Sequence, residues 1–242
     1  MFAQAVSSGS SVQSIASFER APEFQTAAPE LYPSEYLPFT VRVASDEESL
    51  QKAVDIRHAA YARHIDPKLA EALRKPEAQD RAPGTYVLLA ESKLDGSPLG
   101  TMRIQTNEFK PLSVEKSVQL PDWMQGRQLA ETTRLGVTNE KVGSMVKTVL
   151  VKAGYLFCVK NDIPYMVITA RSPVDRQYDR LLFKDVFPDG GFIPLEHVFN
   201  LPHRVMYFDV FGGEDLWSER RHPLLTFMRY TQHPDIHLGD HE

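Results

Sequence analysis

Gln128-Leu129-Ala130-Glu131-Thr132-Thr133-Arg134-Leu135-Gly136-Val137 is the stretch whose reading decides the fold. Its β-branched and aliphatic residues read as a strand, and inside that strand lie a carboxylate and a guanidinium. Charges in the middle of a sheet must be paired or used, because an unpaired buried ion is strongly unfavourable. Strict pleating puts residues three apart on opposite faces, so Glu131 and Arg134 line one cleft only if the strand bulges. A bulge is therefore expected near Thr132 or Thr133, freeing backbone N–H groups around Leu135, Gly136 and Val137. Thr138-Asn139-Glu140 follows as the expected opening of a long amphipathic helix. Val142, Met145, Val146, Val149, Ala153, Leu156 and Phe157 recur there at helical spacing. A central strand that feeds a helix N-terminus is where α/β folds bind anionic ligands.

Working outward, Phe39-Thr40-Val41-Arg42-Val43 alternates as a short strand. Ser45-Asp46-Glu47-Glu48 reads as a capping box, with Ser45 at the N-cap and Glu48 at N3. The helix it opens places Leu50, Val54, Arg57 and Tyr61 on one face, an unusual position for a solvated arginine. Ile65 to Pro83 is a polar connection carrying Glu77 and Asp80, with a short helix around Lys68 to Leu73. Thr85 to Glu91 and Leu99 to Thr106 are two strands joined by the turn Leu94-Asp95-Gly96-Ser97. In the second, Leu99, Thr101, Arg103 and Gln105 share the face opposite Met102 and Ile104. Pro111 to Gly126 is an irregular excursion.

Downstream, Ile163 to Ala170 is nearly all apolar, as a strand covered on both faces is. Ser172-Pro173-Val174-Asp175 predicts a helix capped by Ser172, Arg204 to Val210 a further strand, and Leu216 to Tyr230 a helical extension interrupted near Pro223. The element order implies an α/β fold with a mixed, largely antiparallel sheet. Residues 1–38, rich in Ser, Ala and Gln and lacking Lys, read as a flexible arm in which Phe18, Phe24, Tyr32 and Tyr36 can dock locally. Residues 39–211 read as one domain, and 212–242 as a helical extension packed on it.

Composition narrows the function classes. The chain has 242 residues, 42% hydrophobic and 24% charged, which suits one large globular domain. A net charge of -5 with a pI near 5.9 argues against a general nucleic-acid binder. No apolar run reaches membrane-spanning length, and the N-terminus lacks a secretory pattern. The single cysteine, Cys158, excludes an intramolecular disulfide and a Cys-based zinc cluster, and reads as core. The eight histidines form no His-Glu-x-x-His pattern, so no metal site is expected. A cytoplasmic location is the expectation that follows.

Four further stretches, in this order and spacing, resemble one known family. Arg57-His58-Ala59-Ala60-Tyr61 resembles an Arg-x-x-x-aromatic signature on a first helix, and Glu77-Ala78-Gln79-Asp80 an acidic pair ahead of a strand. Gly100-Thr101-Met102-Arg103 resembles a strand arginine, and Glu131-Thr132-Thr133-Arg134 a Glu-x-x-Arg strand. Together they resemble the GNAT acyltransferases, in particular the N-acyl amino acid synthases and the related acyl-homoserine-lactone synthases. The resemblance covers roughly residues 39–210. It implies a three-layer GNAT-like fold whose central sheet splays between two adjacent strands. It also implies transfer of a fatty acyl chain from acyl carrier protein, through its pantetheine thioester, to the α-amine of an amino acid. No cofactor is then needed beyond the acyl donor, which is carrier protein or acyl-coenzyme A. Acyl-homoserine-lactone synthesis and coenzyme A-dependent N-acylation are the nearest alternatives, and a non-catalytic carrier- or lipid-binding module is an alternative of another class.

The residues take roles accordingly. Acyl transfer needs a deprotonated amine, an oxyanion site and an exit for the thiolate. Glu131 is the candidate base, if burial raises its pKa, and the competing reading is a buried salt bridge with Arg134 or Arg103. The amides of Leu135, Gly136 and Val137 are the candidate oxyanion hole. Arg57 and Arg103, with Tyr61 beside them, are candidates for binding the acceptor's carboxylate, and equally for structural pairing with Glu77 and Asp80. Tyr178, five residues before Phe183, matches the spacing of a family tyrosine that protonates the leaving thiolate. Leu182 replaces the usual glycine there. Lys141-Val142-Gly143-Ser144 corresponds to the family's pyrophosphate loop but keeps one glycine and lacks the leading basic residue. Relatives that draw on acyl carrier protein show a similar loss and need hold only pantetheine. Lys141, Lys147, Lys152 and Lys160, with Arg127 ahead, form a helix face that suits an acidic carrier or simply faces solvent. Trp123, Met124, Phe183, Phe187, Phe192, Phe199, Trp217 and Phe227 are acyl-tunnel candidates, or plain core.

Overall fold

The computed structural model describes residues 32–239, so Phe18, Phe24 and most of the expected arm lie outside the described residues. The chain runs through β1 (Phe39–Val43), α1 (Glu47–Tyr61), α2 (Pro67–Glu71), β2 (Thr85–Ser92), β3 (Pro98–Thr106), β4 (Leu129–Val137), α3 (Gly143–Lys160) and β5 (Tyr165–Ala170). It continues with α4 (Asp175–Arg180), β6 (Lys184–Asp185), β7 (Ile193–Leu195), β8 (Leu201–Asp209), α5 (Gly213–Glu219) and β9 (Ile236–His237). The sheet order is β6-β8-β5-β4-β3-β2-β1-β9, with β7 pairing on β8. Among these strands β4–β5 and β1–β9 pair in parallel and the other pairs are antiparallel, as the element order implied.

Strand periodicity sets the three layers. On β2, Val87 and Leu89 meet Leu50, Ala53 and Val54 of α1, while Leu88 and Ala90 join Val146, Val149, Leu150 and Phe157 of α3 on the other face. Each large apolar side chain buried this way contributes about 2 kcal/mol relative to exposure. The extension is part of the same body. Trp217 of α5 is buried and stacks on Phe208 of β8 with ring centroids 4.8 Å apart, and β9 adds a strand beside β1. The short strands β6, β7 and β9 carry no two-residue alternation long enough to be read in advance.

Several local expectations shift. The N-cap of α1 is Asp46, not Ser45. Its Oδ1 accepts from the Ser49 amide at 2.7 Å, and the Ser49 hydroxyl accepts the Asp46 amide at 3.3 Å, which also satisfies the buried Ser49. Asp175 opens α4 with Val174 at its N-cap, so Ser172 does not cap it; the Asp175 carboxylate binds Arg204 at 3.2 Å. α3 begins at Gly143, not at Thr138, because the chain first folds over itself. A Cβ on Gly143 would lie 2.2 Å from the Thr138 carbonyl oxygen. Gly143→Ala is therefore expected to cost about 1–3 kcal/mol through overpacking of that turn, read as a lowered midpoint in chemical denaturation.

Of the lysines read as a helix face, Lys141 and Lys160 are exposed and Lys147 is half-buried, while Lys152 is withdrawn from solvent. Lys152 is buried, and its Nζ donates to the Phe227 and Thr231 carbonyls, 2.5 Å each, with His233 Nδ1 at 2.8 Å. Lys147 donates to Gln177 Oε1 at 2.6 Å, and Lys160 to the Gly239 carbonyl. For Lys152 and Lys160 the physical reason is the C-terminal segment, whose carbonyls need donors where it lies on α3. Cys158 is core as read, and burial pushes its thiol up to about 12.

Candidate active site

The β4–β5 pair holds only from Leu129–Thr132 against Tyr165–Ile168. Beyond that point Thr169 and Ala170 pair with β8 alone, so the two parallel strands part. The cause lies on β4. Arg103 faces Thr133 and Thr101 faces Gly136, leaving Met102 opposite both Arg134 and Leu135. This is the expected bulge, one or two residues further along, with Arg134 in the left-handed region at φ 56. It sends successive side chains to different sides of the fork. Leu135 lines a cavity of about 50 Å³ with Lys147, Val151, Tyr178 and Leu181, between α3 and α4. Arg134 lines one of about 60 Å³ with Tyr61, Ile65, Thr169 and Arg171, beside the end of α1.

The three motif arginines converge on the acidic pair. Arg57 donates to both Asp80 oxygens at 3.0 and 2.8 Å, and Arg134 to both Glu77 oxygens at 2.7 Å. Arg103 reaches Glu77 at 3.0 Å, Asp80 at 3.1 Å and the Thr133 hydroxyl at 3.2 Å. Burial alone would raise the Glu77 pKa, but the Arg134 hydrogen bonds and the charges of Arg134, Arg103 and Arg57 hold it at about 2. Arg57 and Arg103 line neither cavity at the fork, and both are buried. Their guanidiniums are committed to Glu77 and Asp80, so the structural alternative describes their contacts; an acceptor is not offered a free fork by either. Tyr61, half-buried, does line the α1-side cavity.

Glu131 is fully buried and makes no ion pair with an arginine among the described residues. Its Oε2 accepts the Val114 amide at 3.3 Å, from the short 3₁₀ turn Ser113–Lys116, while Oε1 lies 3.4 Å from His197 Nε2 without a hydrogen bond. Burial raises its pKa to about 7, against the opposing pull of the Val114 and Ser113 amides and the Arg103 and Arg134 charges. Glu131 lines neither cavity itself. His197 stands between it and the fork: Nε2 is also 3.3 Å from the Thr169 hydroxyl, which lines the α1-side cavity, and the His197 carbonyl accepts from Arg134 at 3.0 Å. Burial, then the Arg134 charge, pushes His197 well below the usual imidazole range, so it is neutral at pH 7. The turn that inserts it is sharp, with Phe199 and Asn200 both left-handed at φ 62 and 56.

Two elements that matter here carried little sequence signal. His197 is one of the scattered late histidines; only Asn200, a residue type tolerant of left-handed backbone, hinted at the turn behind it. The excursion at 111–126 supplies the amide on Glu131 and buries Leu112, Val114, Leu120 and Met124 against the sheet. Of the remaining predicted residues, Tyr178 is buried in the α3–α4 cavity wall, ring to ring with Phe183 at 5.2 Å, and burial raises its hydroxyl pKa. Gly136 and Val137 pair with Thr101 and Gly100, while Leu135 in the bulge has no register partner on β3. Lys141, Val142, Gly143 and Ser144 form the turn and first residues of α3. Of the tunnel candidates, Met124, Phe183 and Trp217 are buried in apolar clusters, and Trp123 packs against Tyr165 and Tyr207. Among the described residues no group of three or more His, Cys, Asp or Glu is placed to hold a metal ion, and no helix is long and apolar enough to cross a membrane.

A mixed sheet with α1 and α3 on opposite faces, forking between parallel β4 and β5 just past a bulge, is a GNAT-like fold. No family model and no curated protein matches the chain. Among solved structures it is similar to FeeM, an N-acyl amino acid synthase from uncultured soil microbes, with TM-score 0.59 and 17% identity over 75% of this chain and 96% of that one. It is also similar to BjaI, a CoA-dependent acyl-homoserine lactone synthase (TM-score 0.52, 16% identity, 81% of this chain and 93% of that one). LasI, an AHL synthase, aligns with TM-score 0.51 and 15% identity over 71% of this chain and 90% of that one. At these identities the likeness establishes the fold.

Proposed function

We propose that the protein is an N-acyltransferase that moves an acyl chain from a pantetheine thioester to the α-amine of an amino acid. The observation that carries this is a buried carboxyl tuned to about 7, touching a neutral imidazole, directly behind the fork of two parted strands. A structural carboxylate would hold an arginine, and three are within the same site, yet Glu131 holds none. The activity of FeeM, an N-acyl amino acid synthase, supports the acceptor class, and the shared fold supports the geometry.

The thioester occupies the apolar α3–α4 side of the fork and the amine the α1 side, so they meet between β4 and β5. The amine nitrogen attacks the thioester carbon, forming the C–N bond. Its proton goes to the Thr169 hydroxyl as that hydroxyl's own proton passes to His197 Nε2, 3.3 Å away, and then to Glu131 Oε1, 3.4 Å from the same nitrogen, as the pair closes to hydrogen-bonding distance. The tetrahedral oxyanion is held by backbone N–H groups of the bulge at Leu135 to Val137. The C–S bond then breaks and the thiolate takes the Tyr178 hydroxyl proton; after the products leave, solvent returns a proton to Tyr178 and removes the one on Glu131, which closes the cycle. Acyl carrier protein is the proposed donor, and coenzyme A is the second donor to test.

The test mixes purified protein, acyl carrier protein or coenzyme A charged with a long acyl chain, and amino acids, and follows free thiol and acyl amide together. Amino-acid-dependent thiol release with one amide formed per thiol is expected; thiol release without amide, or neither, contradicts the proposal. The same assay reads pH. Glu131 works as a base only when ionised, so kcat/KM is expected to rise about tenfold per pH unit below about 7 and to bend there. A profile with no bend between pH 6 and 8 would remove Glu131 from the role.

A further inference from the structure

With Arg57, Arg103 and Arg134 committed to Glu77 and Asp80, an amino-acid acceptor must place its carboxylate elsewhere, and the α1-side cavity holds one more guanidinium. Arg171 follows directly on β5 and lines that cavity. One of its N–H groups donates to the His64 carbonyl at the end of α1, 3.1 Å away, and it pairs with no carboxylate among the described residues. The other cations of the cavity are accounted for: Arg134 holds Glu77, and burial keeps His203 toward neutrality. Arg171 is half-buried, which strengthens a bond to an anion while leaving it reachable.

Spacing supplies the second half of the inference. Thr169 and Arg171 sit two apart and both line the cavity, so their backbones are about 6.6 Å apart on one face. The carboxylate and amine of an α-amino acid, carried on one α-carbon, would thus meet a guanidinium and a hydroxyl on the same side of the cavity. Ile65, Val198, Phe199 and Leu201 form an apolar wall for the side chain. We infer that Arg171 is the carboxylate-binding residue of the acceptor site and selects α-amino acids with apolar side chains over amines that lack a carboxylate. With the carboxylate on Arg171, the α-nitrogen lies at Thr169, where the route through His197 to Glu131 begins. This rests on the acyl-transfer reading above.

The experiment compares wild type, Arg171→Gln and Arg171→Lys with glycine, L-leucine and L-phenylalanine and with the α-amide of each. Acylation and calorimetric binding are both measured. Wild type is expected to favour leucine and phenylalanine over their amides at least tenfold in kcat/KM, with the difference mainly in KM. Arg171→Gln is expected to collapse that ratio to within threefold, and Arg171→Lys to keep part of it. An unchanged ratio in Arg171→Gln, or no acid-over-amide preference in wild type, overturns the assignment. Should no amine be acylated by wild type, the acyl-transfer reading falls. Calorimetry then decides the site alone: acid-selective binding lost in Arg171→Gln sustains it, and binding that is absent or indifferent to the substitution overturns it.

Discussion

Glu131→Gln is expected to lower kcat by about 10²–10⁴-fold while making the protein more stable at pH 8. The loss follows from removing the carboxylate behind the fork that takes the amine's proton and holds it. The gain follows from the same burial that tunes the carboxyl. The folded-state pKa is raised to about 7 from 4.5, so the folded protein binds more protons than the unfolded chain between those values. Stability therefore falls as pH rises from 4.5 through 7, by about 3 kcal/mol once Glu131 is fully ionised. Glutamine has nearly the same shape and no charge. Its oxygen can accept the Val114 amide and its NH₂ can donate to His197, so the substitution leaves no orphan. Thermal unfolding of both proteins at pH 5 and pH 8 checks this: the midpoints should nearly coincide at pH 5 and separate at pH 8, with the variant higher. A variant that is less stable at both pH values would show Glu131 to be a structural carboxylate.

Glu77→Gln is expected to do the opposite, costing about 3–5 kcal/mol, because it breaks a buried ion network by removing one partner. Three guanidiniums currently face two carboxylates; the variant leaves three facing one, with Arg134 keeping at most one of its two short bonds and facing an amide NH₂ at the other. For a domain of this size the midpoint should drop by about 10 °C at pH 7. The pH sign is fixed by the depressed pKa. The stabilisation from Glu77 is complete above about 4.5 and is lost as pH falls toward about 2, so variant and wild type should converge in acid. Activity should fall as well, since Arg134 also holds the His197 carbonyl. A variant unfolding within 2 °C of wild type at pH 7 would mean that the network contributes little.

How much of this was readable in the chain depends on the range of each interaction. The alternating segments at Thr85 and Leu99, the apolar run at Ile163 and the bulge demanded by Glu131 and Arg134 are local patterns, and each appears where expected or within two residues of it. The acidic pair and three arginines were visible as types, but which carboxylate meets which guanidinium depends on contacts made across the sheet. Lys152 shows the limit plainly. On a helical wheel it flanks the apolar face, and the carbonyls of Phe227 and Thr231, more than seventy residues away, make its burial tolerable. His197 and Val114 were illegible for the same reason: a turn with left-handed residues and a 3₁₀ segment carry no periodicity, yet they enclose Glu131. Arg171 was passed over because nothing in its neighbourhood marks it, and its importance arises only when the other arginines are seen to be occupied.

The central claim is that the parted ends of β4 and β5 are where an acyl carbon and an amine meet. It is tested most directly by a crystal structure with a non-cleavable analogue, a pantetheine ketone in which CH₂ replaces the thioester sulfur. The account predicts the ketone carbon between Leu135 and Thr169, its oxygen toward the bulge amides, with the pantetheine arm on the Tyr178 side. An analogue bound elsewhere on the protein, with the fork filled by side chains, would contradict it.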